Sequence, residues 1–204
     1  MNKYRVSSLL LTFPTLLLLQ GCATSPPRNQ SNLCAIFEEK PSWYDDAREM
    51  EEVYGTPINV AMAFIKQESS FINDAKPPRD HLLGFIPWGR VSTAYGYAQA
   101  QDPVWGEYLD GTGNGGSRNN FGDAIMFVGW YTDKTQKRLG VSKWDPYNQY
   151  LAYHEGQGGF KRKSYNKKPQ LLKVARKVEQ QAKDYGWQLK QCRSELENGR
   201  SWFF

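Results

Sequence analysis

The pairs Thr56–Pro57, Asp102–Pro103 and Asp145–Pro146 share one device. A side chain able to accept from a backbone N–H stands before a residue whose φ already suits a helix and which has no N–H to satisfy. Such pairs open helices. Thr56 is expected to cap a helix through Val60, Ala61 and Phe64 to Glu68, and Asn120 with Asp123 to open one running to Leu139 and stopped by Gly140. Ser42 with Asp45 is expected to open another, which carries Trp43, Ala47, Met50 and Tyr54 at helical spacing and ends at Gly55. A last long helix begins near Pro169, with Leu171, Ala175, Val178, Ala182 and Tyr185 in one stripe. Strand-like alternation is scarce. The chain therefore reads as mainly α, one helical domain from about 34 to 200 with long loops at 73–93 and 110–119.

At 204 residues and 40% hydrophobic, the chain can bury one core, which excludes disorder throughout. The amino terminus is different in kind. Lys3 and Arg5 precede an apolar run ending at Leu19, Gln20, Gly21 and Cys22, and that run is too short to span a bilayer comfortably. It resembles a bacterial lipoprotein signal. Residues 1–21 would be removed, Cys22 would carry the lipid, and 22–33 would form a polar tether before a domain at 34–204. Ala23 rather than aspartate after the cysteine points, by the enterobacterial sorting rule, to the periplasmic face of the outer membrane. Removing Lys3 and Arg5 from the 26 basic side chains leaves 24 against 21 acidic ones, so nucleic acid is not implied as a partner. Cys34 and Cys192 are left as an even pair in an oxidising compartment and are expected to bond, two separate buried thiols being the alternative.

Glu68 edges the buried face of its helix, beside Ala61 and Phe64, in the last turn. Burial and the carbonyl ends of the helix would both push its pKa up and keep a proton available near neutral pH. The position also suits a solvated surface glutamate, and the surrounding motifs decide between the two.

Those motifs are Glu68-Ser69-Ser70-Phe71, then Ala94-Tyr95-Gly96-Tyr97-Ala98-Gln99, then Leu151-Ala152-Tyr153-His154-Glu155-Gly156. In that order they resemble the three motifs of the lytic transglycosylase family related to soluble lytic transglycosylase, the SLT domain, whose fold is like that of goose-type lysozyme. The resemblance covers about residues 56–160. It implies a lysozyme-like helical domain with loops around a glycan groove. It further implies cleavage of the β-1,4 bond between N-acetylmuramic acid and N-acetylglucosamine in peptidoglycan, without water and without a cofactor. Glu68 would be acid and then base, Ser69 and Gln99 would contact sugar, Gly96 would allow close passage of substrate, and Tyr153 would orient Glu68. The chain departs from the pattern at His154, where the family has asparagine, and at Glu155, where it has alanine. A second carboxylate is thereby brought near, and a hydrolytic muramidase using Asp102, Asp123 or Glu155 stays open, as does a non-catalytic peptidoglycan-binding lipoprotein.

Other patterns are weaker. Asp110, Thr112, Asn114 and Gly115 fall at the first positions of a calcium loop, but Phe121 stands where its last ligand should be. His81 and His154 lack paired metal spacing, so no metal is expected. Trp88, Tyr95, Tyr97, Trp105 and Trp130 are each read as core before sugar platform, the 73–93 loop with Phe85 and Trp88 as a groove wall or a surface excursion, and Lys161 to Lys168 as a solvated face.

Overall fold

The computed structural model describes residues 25–82 and 86–198. Cys22, the leader before it and Phe85 lie outside them. The elements are α1 (Leu33–Glu39), α2 (Pro41–Tyr54), α3 (Ile58–Ser69), β1 (Arg79–Leu82), β2 (Ile86–Arg90), α4 (Asp102–Thr112), α5 (Phe121–Leu139), α6 (Pro146–Lys161), a short 3-10 turn (Ser164–Lys167) and α7 (Pro169–Asn198). The fold is mainly α, as the punctuation requires.

Helix α3 is the axis of the molecule. Val60 to Ile65 are all buried, so this helix has no solvent face in its middle and must be surrounded. It lies along α7 and also meets α2 and α5, while α6 bridges α5 and α7. Polar residues are tolerated at its ends alone, which is why Glu68 sits at the margin of the core.

Cap chemistry holds where it is local. Asn120 accepts from the Asp123 N–H at 3.0 Å and Asp145 from that of Asn148 at 3.0 Å, while Gly55 and Gly140 close α2 and α5 in the left-handed conformation. The buried stripe of α7 runs through Leu171, Ala175, Val178, Ala182 and Tyr185 as the sequence requires.

Other starts move. Thr56 does not cap α3: its hydroxyl meets that of Thr132 at 2.6 Å, and the first free N–H, at Ile58, is taken by Glu51 Oε1 at 3.1 Å. A fully buried hydroxyl finds its partner across the core rather than along its own chain. Helix α2 begins at Pro41, ahead of Ser42, and α4 places Asp102 inside its first turn, where it pairs with Arg118 at 2.8 Å. Asp110 and Thr112 belong to α4, so the calcium-loop pattern is a helix end.

The described parts of two segments read as loop or tether have defined structure. The 73–93 excursion contains the antiparallel hairpin β1–β2, paired at His81↔Pro87 and Leu82↔Ile86. From Pro27, which is buried, the chain is pinned as a strap: the Tyr185 hydroxyl donates to Gln30 O at 2.5 Å, Gln188 Nε2 to Ser31 O at 3.0 Å, and Gln30 Nε2 to Ser70 O at 3.0 Å. Helix α1 follows at once. The domain thus begins several residues before 34. A disulfide joins Cys34 of α1 to Cys192 of α7, with a Cα–Cα distance of 6.0 Å, and fastens this strap to the far end of the last helix. Closing so long a loop removes unfolded-chain entropy worth about 5 kcal/mol in the chain-entropy account.

Candidate active site

Glu68 emerges from the core end of α3 into a cage of rings. Phe64, one turn earlier, packs edge-on against Tyr150 at 5.3 Å and Tyr153 at 5.4 Å between ring centres, both from α6. Burial among these rings pushes the Glu68 carboxyl up to about 7, while a hydrogen bond donated by the Tyr150 hydroxyl pulls the other way. The main cause of the rise is thus burial.

The hydroxyl that donates to the Glu68 carboxyl is that of Tyr150. Tyr153, to which the family resemblance gives the task of orienting Glu68, donates to Ala98 O at 2.6 Å and so ties α6 to the glutamine turn. Burial, and after it the Glu68 charge, holds both phenols far above their ordinary range, so each remains a donor. Tyr150 was missed because it stands outside the three motifs; the signal was its place one turn before Tyr153 on the same helix face.

The glutamine turn is fixed by its own backbone. Gly96 N–H donates to Ala75 O at 3.0 Å, and Gln99 Nε2 donates to Ala75 O and Gly96 O, each at 2.9 Å. Gly96 has φ 76°, and a Cβ there would lie 1.9 Å from Arg118 O, so the close passage it allows is to the chain itself. Arg118, also missed, donates to Ala100 O at 2.8 Å and Thr93 O at 3.0 Å and lies over the Tyr95 ring. Ser69 is buried, and its hydroxyl donates back to Ile65 O at 3.1 Å. Ser70, Phe71 and Gln99 all adopt positive φ, at 51°, 60° and 47°. Positive φ at non-glycine residues is held only where the surroundings over-determine it.

A cleft of about 350 Å³ opens beside the turn, lined by Gln99, Tyr131, Tyr153, His154 and Glu155. Glu68 is not on its wall; Tyr153, which is, packs on Phe64 in Glu68's own helix. Helix α6 breaks at Gly156, where φ is 70° and ψ 158°, so Glu155 ends a helical segment. Its carboxylate is nearly buried, yet Lys168 at 2.7 Å, Ser164 and His154 at 3.1 Å outweigh the burial and hold its pKa at about 2. Asp123 accepts from Ser117 N–H at 2.8 Å, and Asp102 is paired with Arg118. All three carboxylates are engaged within the chain. Among the described residues no three His, Cys, Asp or Glu side chains gather as a metal ion would need. Of the aromatic residues, Tyr97 and Trp105 are core, as read from sequence.

A family model described as transglycosylase SLT domain matches residues 9–192. The chain belongs to that family. Membership implies a glycan-cleaving enzyme, with peptidoglycan as the implied substrate. No curated protein and no solved structure matches it.

The cage yields a prediction for this transglycosylase-domain protein. Tyr150→Phe removes the hydrogen bond that favours the charged form, so the Glu68 pKa rises further above 7. The expected result is a loss of about tenfold in kcat, with the fall of activity at high pH displaced to higher pH. A kcat–pH profile that keeps its shape would assign Tyr150 to packing alone.

Proposed function

We propose that this protein cleaves the MurNAc–GlcNAc β-1,4 bond of peptidoglycan non-hydrolytically and leaves 1,6-anhydromuramoyl ends. The observation that carries the reading is the Glu68 carboxyl, caged by rings and raised to about 7, while Glu155 and Asp102 are held in ion pairs and Asp123 accepts from a backbone N–H. Glu68 donates its proton to the leaving glycosidic oxygen as that bond breaks. The resulting carboxylate takes the proton of the muramic C6 hydroxyl as that oxygen closes on C1. Atoms balance without water. Tyr150 steadies the carboxylate through both steps. Gln99, whose amide nitrogen is spent on the turn, offers its amide oxygen to an acetamido N–H, and Tyr153 forms the cleft wall.

Digestion of purified sacculi, followed by chromatography with mass detection, tests this reading. Anhydro ends one water lighter than hydrolysed ends are expected. Reducing ends would instead establish a muramidase, and the absence of products a binding protein.

The amino-terminal sequence supports anchoring by lipid at Cys22 on the periplasmic face of an outer membrane. Metabolic labelling with palmitate is expected to mark the protein, and Cys22→Ser to remove the mark. Label retained in that variant would place the lipid elsewhere or nowhere.

A further inference from the structure

Among the described residues Trp144 and Trp187 are the most exposed large apolar side chains, at 74% and 67%. Tryptophan is rarely left so open, and here two of them flank one cleft of about 330 Å³. Both stand on fixed supports. Trp144 immediately precedes the Asp145 cap of α6, its N–H donating to Ser142 Oγ at 3.2 Å, and Trp187 lies within the 30-residue helix α7. Little ordering cost remains for a ligand to meet.

The cleft is mixed in chemistry. Gly186, beside Trp187, leaves Asn59 close beneath the surface, and the Asn59 amide nitrogen is taken by Ala182 O at 2.8 Å, which leaves its oxygen as an acceptor. Arg193 pairs with Glu51 and Glu197, and Lys183 with Glu179, so their charges are offset. Lys190 has no ion-pair partner among the described residues and gives the cleft a surplus positive charge. Asn59 is in the first turn of α3 and Glu68 in the last, nine residues or about 14 Å apart along the axis.

We propose that the Trp144–Trp187 cleft is a second glycan-binding site, which holds a peptidoglycan strand away from the Glu68 centre. The two indole faces stack on sugar rings, the Asn59 oxygen accepts from a hydroxyl or acetamido N–H, and Lys190 meets a carboxylate of the peptide stem. Around this cleft polar groups alternate with the exposed rings, as a polyhydroxylated chain requires, and the surplus cation of Lys190 matches an acidic polymer. The inference rests on the reading of the protein as a peptidoglycan enzyme.

The test uses the full-length chain. Binding to insoluble sacculi is measured in a Glu68→Gln background, so that the polymer is not consumed, and turnover of a short soluble glycan fragment is measured with Glu68 intact. Trp144→Ala with Trp187→Ala is expected to weaken sacculus binding about tenfold or more and to leave turnover of the short fragment unchanged. Trp144→Phe with Trp187→Phe keeps the ring faces and restores most of the affinity, and Lys190→Glu lowers it about threefold. These two variants carry the test if the alanine pair fails to fold. Sacculus affinity unchanged without the indoles overturns the proposal, whichever protein the tryptophans then prove to hold. Equal loss of turnover on the short fragment also overturns it, because the cleft would then belong to the catalytic site. Tryptophan-dependent binding by a wild-type protein that releases no product removes the lyase reading and leaves this site standing.

Discussion

Glu68→Gln is expected to lower turnover on sacculi by about a thousandfold or more while leaving binding intact, since glutamine keeps the shape of the side chain and loses the proton. The same group sets the pH dependence. The first step needs the neutral acid, so activity should fall as pH rises through about 7, the value to which burial has raised the carboxyl. Stability carries the opposite face of this shift. Because the folded state binds the proton more tightly than the unfolded chain, whose carboxyl titrates near 4.5, the wild-type protein loses stability as pH climbs from 4.5 through about 7. The variant has no charge to bury. It should therefore gain about 1 to 2 kcal/mol over wild type at pH 8, allowing for solvent access to a partly buried group, and nothing at pH 4. Thermal melts at the two pH values decide this. An equal gain at both would mean that the stabilisation is not electrostatic and that the carboxyl is not held neutral by its cage.

How much of this was legible in the sequence follows from the range of each interaction. Asn120, Asp145, Gly55 and Gly140 mark helix ends correctly because a cap and its N–H or carbonyl are neighbours in the chain. Thr56 was misread because its hydroxyl is claimed by Thr132, a residue that only the fold brings near. Helix α1, with seven residues, is too short to display a period, and β1–β2 is interrupted by Pro87 and Gly89, which break the alternation by which a strand is read. The position of Glu68 at the margin of the buried face was readable from helix geometry. Its partner was not, since Tyr150 and Tyr153 sit on one face of α6 and the crossing of α3 with α6 selects between them. Likewise the sequence marked Glu155 as a spare carboxylate, and it took the return of the chain through the 3-10 turn to supply Lys168 and Ser164 as its partners.

Gly96→Ala is expected to be the most damaging small substitution outside the carboxylate. The added Cβ would lie 1.9 Å from Arg118 O and 2.5 Å from Arg118 C, and both are backbone atoms, so no side chain can swing aside. Arg118 O already accepts from Tyr97 N–H at 3.1 Å, which means that retreat of one strand of the contact breaks a hydrogen bond of the other. The positive φ adds about 1 kcal/mol of its own. Together the terms point to a loss of about 3 kcal/mol or more, near 10 °C in Tm for a domain of this size. Gly113→Ala separates the two causes, because Gly113 has φ 67° and no atom within 4 Å of its added Cβ; it should cost about 1 kcal/mol. Turnover adds a second readout. If Gly96 serves the site by holding Gln99 and Ala98 in place for the cleft and for Tyr153, the alanine variant should lose activity at temperatures well below its own melting point, and Gly113→Ala should not. Parallel loss of activity and of folded protein in both variants would reduce the turn to a stability element with no part in shaping the site.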